Sequence, residues 1–137
     1  MICLVESEIK RTDVLKAVSA VESGAIVTFE GTVRTHNRGK RVTHLYYDAY
    51  SPMATREMER IRSEAMERWP LQALVIVHRF GRLEIGESSV LIAVSSAHRQ
   101  DAFAACQFAI NTLKKKVPIW KKEYYEDGEV WIEGYNE

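Results

Sequence analysis

Apolar residues along this chain follow two periods, and the changes from one to the other mark out its elements. The opening "ICLVESEI" reads as a strand, and the stretch from about Thr12 to Glu22 places Val14, Leu15, Val18 and Val21 near one helical face. At "SGAIVTFEGTVR" the period falls to two, with Ile26, Thr28 and Glu30 alternating against Val27, Phe29 and Gly31, as in a strand with two different faces. The polar "THNRGKR" then interrupts, before "VTHLYYDAY" resumes in β-branched and aromatic residues. That interruption has no hydrophobic anchor and contains Gly39, so a mobile loop between two strands is expected.

Pro52 suits the first turn of a helix reaching about Trp69, because Ala54, Met58, Ile61, Ala65 and Trp69 recur every three or four positions. Four basic and four acidic residues between Arg56 and Arg68 make the rest of that helix a near-neutral solvated surface. "ALVIVHRFGRLEIGESSVLIAVSS" predicts two or three central strands with short turns near Gly81 and Gly86. A third helix is expected from about Arg99 to Lys116, with Ala102, Cys106, Ala109 and Leu113 in one stripe flanked by Phe103 and Ile110, and Pro118 ends it. "IWKKEYY" and "EVWIEGY" on either side of "EDG" predict a closing hairpin. With no repeat and no linker in 137 residues, the order of elements favours one α+β domain over 1–137, with an antiparallel or mixed sheet and three main helices.

Composition narrows the class. Hydrophobic residues make up 46% and charged residues 28%, too apolar for a disordered tail. No run approaches the roughly 18 apolar residues of a membrane span, and Glu6 interrupts the start before a secretory segment can form, so a cytoplasmic chain without membrane association is expected. Cys3 and Cys106 fall in apolar runs and form no C-x-x-C pair, which predicts buried thiols. His36, His44 and His78 lack a compact ligand spacing, and no metal is expected.

The formal net charge of zero conceals a separation. Arg34, Arg38, Lys40 and Arg41 lie between Gly31 and His44 with no acid, and six Arg or Lys residues lie between His98 and Lys122 against Asp101 alone. After Lys122 all six charged residues are acidic. A locally positive cleft for an anionic ligand fits this distribution. The other reading is a solvated helix end, with Lys114, Lys115 and Lys116 meeting terminal carbonyl dipoles and the acidic tail folding back on them. Lys114 and Lys121 differ from their neighbours because they flank the stiff "VPIW" turn, which can point both ammonium groups at one pocket. Trp120 is expected as a packing anchor rather than a stacking platform. In "SSAHRQDAF", Ser95 or Ser96 is a candidate helix cap, and His98 and Arg99 stand near a first turn whose free N–H groups favour phosphate. At this point a surface histidine and an ion-paired arginine remain the more ordinary reading of the two.

These phrases, taken together, resemble the large, catalytic subunit of molybdopterin synthase. The agreement runs through "GAIVTFEGTVR", "GKRVTHLYYDAYSPMA", "HRFGRLEIGESSVLIAVSSAHRQDAFAAC" and "LKKKVPIWKKE", in one order along nearly the whole chain. The resemblance implies the family's α/β hammerhead fold and conversion of cyclic pyranopterin monophosphate into molybdopterin by installing a dithiolene. It also implies a separate small, ubiquitin-like sulfur-carrier subunit whose C-terminal thiocarboxylate enters the pocket, and a homodimer of large subunits within a heterotetramer. No cofactor is expected. Lys114 and Lys121 match the family's paired active-site lysines, Arg34, His98 and Arg99 its substrate-pocket residues, and Phe29 a pocket aromatic that fits a strand core position equally well. Asn111 and Asp48 depart from the commonest family pattern, where aspartate and glutamate stand, and bear on helix bracing and pocket charge. The different-class alternatives are a nucleic-acid-binding module, motivated by the basic loop and lysine run but lacking net positive charge, and a non-catalytic scaffold.

Overall fold

The computed structural model describes residues 1–37 and 39–133. In chain order the elements are β1 (Ile2–Val5), α1 (Arg11–Val18), β2 (Ala25–Thr32), β3 (His36–Asn37), β4 (Lys40–Ala49), α2 (Ser51–Arg68), β5 (Leu71–Arg79), β6 (Gly81–Glu84), β7 (Ser88–Ser96), α3 (Arg99–Lys116), β8 (Ile119–Tyr125) and β9 (Gly128–Glu133).

Two sheets result. The first has the order β1-β5-β7-β2, with β1 parallel to β5 and the other pairs antiparallel. Its central strands β5 and β7 carry continuous apolar runs, over 73–77 and 90–94, because both of their faces are covered there. Leu74, Ile76, Val90, Ile92 and Val94 face the larger core under α2 and α3, while Val75, Val77, Leu91 and Ala93 face α1. The α2 stripe Ala54, Met58, Ile61 and Ala65 is buried there, and so are Ala102, Cys106, Ala109 and Leu113 of α3. The second sheet is built on β4, which pairs with β8, β6 and, at its start, β3, and β9 continues it beyond β8. The mixed α+β architecture with three helices is thus the one expected.

Several local expectations change. Helix α1 stops at Val18, where Ser19 turns extended and its hydroxyl donates to the Leu15 carbonyl at 2.6 Å. Two turns bury only Val14 and Val18, so Leu15 is exposed and Val21 lies in the following turn, fully solvated. Within the polar 35–41 segment β3 pairs antiparallel with the start of β4, His36 opposite Arg41 and Asn37 opposite Lys40. Arg38 of that segment lies outside the described residues, as do Gly134 and Tyr135 of the closing hairpin and the final Glu137. Trp120 is no core anchor: the alternation of β8 turns it to the exposed outer face, between inward Ile119 and Lys121. Cys106 is buried, and burial pushes its thiol up to about 11, whereas Cys3 is only partly covered. Among the described residues no helix is long and apolar enough to cross a membrane.

Candidate active site

A cleft of about 200 Å³ opens where β2, β4, β8 and the C-terminal end of α3 meet, and its lining includes Phe29, Arg34, Tyr47, Lys114, Lys121 and Glu123. Each side chain arrives there by the periodicity of its element. Phe29 and Gly31 share the inward face of β2, and Arg34 follows two residues after the strand ends. Gly31 is needed for room: a Cβ there would lie 2.9 Å from Val90 Cγ1 and 3.3 Å from Ser89 Oγ. Lys114 stands one helical turn beyond Ile110, so both face the cleft, while Lys115 and Lys116 are exposed. On β8 the period of two turns Ile119, Lys121, Glu123 and Tyr125 inward together.

Lys121 is therefore a buried cation, 5% exposed, and its partner is the equally buried Glu123 at 3.4 Å. Glu123 is held by two further groups through three hydrogen bonds. Asn37 Nδ2 donates to both carboxylate oxygens at 2.7 and 2.9 Å, and the Tyr125 hydroxyl donates to Oε2. Burial alone raises the Glu123 pKa, but the hydrogen bonds from Tyr125 and Asn37 and the charge of Lys121 outweigh it and leave the group below its ordinary value. Arg34 Nη2 in turn donates to Asn37 Oδ1 at 3.3 Å, which fixes the amide with its nitrogen toward Glu123. Against this one carboxylate, the cleft sets the cationic groups of Arg34, Lys114 and Lys121. Such a site can hold an anion and stabilise negative charge that develops during a reaction.

His98 and Arg99 lie elsewhere. Both are exposed and line a shallow depression with Gly24, Ala97 and Gln100 at the start of α3. Arg99 and Lys114 are separated by about 22 Å along the helix axis, at 1.5 Å per residue. Neither Ser95 nor Ser96 caps this helix: His98 occupies the N-cap position, Ser95 is wholly buried, and the Ser96 hydroxyl donates to the His98 carbonyl. Of the acidic residues after Lys122, Glu126, Asp127 and Glu129 pair with Arg41, Lys40 and Lys122. Asp48 is exposed and accepts from the Ala49 amide at 2.9 Å, and Asn111 is exposed on α3, so neither family departure enters the cleft.

The sequence reading passed over Glu123, Tyr125 and Asn37. The first two were recoverable, since in a strand containing Lys121 the residues two and four places on share its face. Asn37 carries no such signal, because only the folding of the hairpin across β8 brings it to Glu123. Among the described residues no group of three or more His, Cys, Asp or Glu side chains is placed to hold a metal ion.

Residues 4–116 match the family described as MoaE protein. The chain is 48% identical over 122 residues to a molybdopterin synthase catalytic subunit of Pyrococcus abyssi, covering 89% of this chain and 82% of that one. It is 47% identical over 129 residues to the corresponding Bacillus subtilis protein, covering 94% and 82%. The crystal structure of molybdopterin synthase from Staphylococcus aureus superposes with a TM-score of 0.90 at 43% identity, over 94% of each chain. On the strength of fold and sequence alike, the chain belongs to the MoaE protein family.

Proposed function

We infer that this chain is a catalytic subunit of molybdopterin synthase, a sulfurtransferase that converts cyclic pyranopterin monophosphate into molybdopterin by forming the dithiolene. The observation that carries the reading is the buried Lys121 beside Lys114 and Arg34 in one cleft of a chain with no net charge. The substrate is a phosphate ester and the sulfur donor an anionic thiocarboxylate, so the reaction needs local positive charge and not a basic surface. The two lysines position the thiocarboxylate at the C-terminus of a small ubiquitin-like partner and stabilise negative charge as sulfur attacks the pterin side chain and the cyclic phosphate opens. Arg34 is the phosphate arm and Phe29 the apolar wall against the pterin. Residues 1–137 act as one catalytic domain.

His98 and Arg99 fit the same reading through a second copy. Because they stand about 22 Å from Lys114 along α3, they contribute to a substrate pocket only if a partner protomer in a homodimer presents them to this cleft. The assembly is then a heterotetramer with two small subunits.

The test is turnover: the purified chain, the thiocarboxylated small subunit and cyclic pyranopterin monophosphate should yield the dithiolene. A folded chain that binds the small subunit without conversion would favour a scaffold. Salt-sensitive binding to arbitrary DNA without conversion would favour a nucleic-acid module.

A further inference from the structure

The Lys121–Glu123 pair has an unusual geometry for two buried opposite charges. Charge-assisted N–H···O bonds settle at about 2.7 to 2.9 Å, yet Lys121 Nζ stays 3.4 Å from Glu123 Oε1. The shorter contacts to that carboxylate belong to Asn37, which reaches both oxygens, and to Tyr125. Asn37 comes from a different part of the chain, 86 positions away, on the two-residue strand β3. Its amide cannot be reversed without cost, because Arg34 donates to its oxygen.

We propose that Asn37 is a positioning residue for Lys121: by occupying the Glu123 carboxylate, it keeps that carboxylate from closing into a tight ion pair and leaves the ammonium directed at the reacting sulfur. The inference rests on the sulfur-transfer reading of the cleft. It also ties the β3–β4 hairpin to the chemistry, since Arg34 and Asn37 flank the hairpin's entry and both reach the cleft. Asn37 acts through Glu123 and need not touch the substrate. The titratable and charged groups around that carboxylate are Arg34 and His36 at β3, Tyr47 on β4, Lys114 on α3, and Lys121 and Tyr125 on β8. Asn37, itself uncharged, is bonded to both oxygens of that carboxylate, so its replacement raises the Glu123 pKa as well as shifting the carboxylate's position.

Asn37→Asp keeps the shape and puts an acceptor where a donor stood, Asn37→Leu removes both, and Asn37→Gln retains the amide. In the reconstituted complex, single-turnover conversion should fall about tenfold or more in the Asp and Leu variants, as for a displaced catalytic group, with half-saturation by the pterin within about twofold of wild type. The acid limb of the rate–pH profile should move to higher pH in both, and Asn37→Gln should recover part of the rate. In parallel, carbon-13 titration of the Glu123 carboxyl and the nitrogen-15 shift of the Lys121 ammonium in the free full chain should both change in Asn37→Asp. Unchanged titration and an unmoved acid limb would overturn the proposal, as would a loss confined to half-saturation. A wild-type chain that fails to convert the pterin, while its Asn37→Asp variant shifts both resonances, would overturn the reading of the cleft and leave the link from Asn37 to Lys121 standing.

Discussion

The Lys121 ammonium lies 3.4 Å from Glu123 in a strand where both side chains point inward, and Lys114 reaches the same cleft from the last turn of α3. Two cations from different elements thus converge, while the neighbouring Lys115 and Lys116 stay in solvent. Replacing either converging lysine should therefore differ in kind from replacing a neighbour.

Lys114→Ala and Lys121→Ala should each lower single-turnover sulfur transfer by about 100-fold or more, the scale for removing one positioned charge-stabilising group. Lys115→Ala should stay within a few-fold of wild type. Circular dichroism and a complex-formation assay should accompany the rates. Similar losses in all three variants would point to a general positive field, and near-wild-type rates for both inward lysines would remove their chemical role.

Arg99→Ala should weaken pyranopterin binding with little effect on folding, because the side chain is exposed and a charged hydrogen bond contributes on the order of 1.5 to 3 kcal/mol. If a second protomer supplies it, mixed dimers of Arg99→Ala and Lys121→Ala chains should convert subsaturating pterin faster than either homodimer. Calorimetry and mixed-dimer turnover measure the two effects. Unchanged affinity in the folded Arg99 variant would exclude it as a phosphate contact.

His78 on β5 is fully buried, bonded through Nδ1 to the Arg79 carbonyl at 2.8 Å and packed edge-on against Tyr47. Burial lowers its pKa to about 4 from 6.5. A depressed folded value means the unfolded chain binds the proton more tightly, so this contribution is full above pH 6.5 and is lost as pH falls through about 4. Over the whole window it amounts to about 3 kcal/mol at 1.36 kcal/mol per unit. Urea unfolding at pH 7 and pH 5 should show the wild type weakening in acid, with the cost of His78→Leu shrinking over the same interval. An equal cost at both pH values would count against the buried neutral imidazole.

Gly31→Ala should destabilise by about 1 to 3 kcal/mol, the usual cost of overpacking. Its new Cβ would meet Val90 Cγ1 at 2.9 Å, and Val90 is itself locked in the core. Thermal unfolding measures the loss, and a melting temperature equal to wild type would show that β2 can shift away from β7.

The sequence by itself determined most of the elements, because their apolar periods are long and unambiguous. The stripe of α2, the alternation of β2, and the extent of α3 from Arg99 to Lys116 were all readable from hydrophobic spacing, with family phrases adding the lysines and arginines. Short elements were less legible. Val21 looked helical because a window of three or four positions cannot tell where an eight-residue helix stops, and β3 is too short to carry a period. Only the tertiary structure decided which charges meet. Lys121 and Glu123 share a face by local alternation, but Asn37 joins them only because a hairpin from early in the chain packs against a strand near its end. By contrast, the alternation of β8 sends Trp120 outward, and the length of α3 leaves His98 and Arg99 far from Lys114. Spacing along a chain fixes the face a residue takes within its own element; which other element covers that face depends on packing between residues far apart in sequence, and one-dimensional periodicity does not encode it.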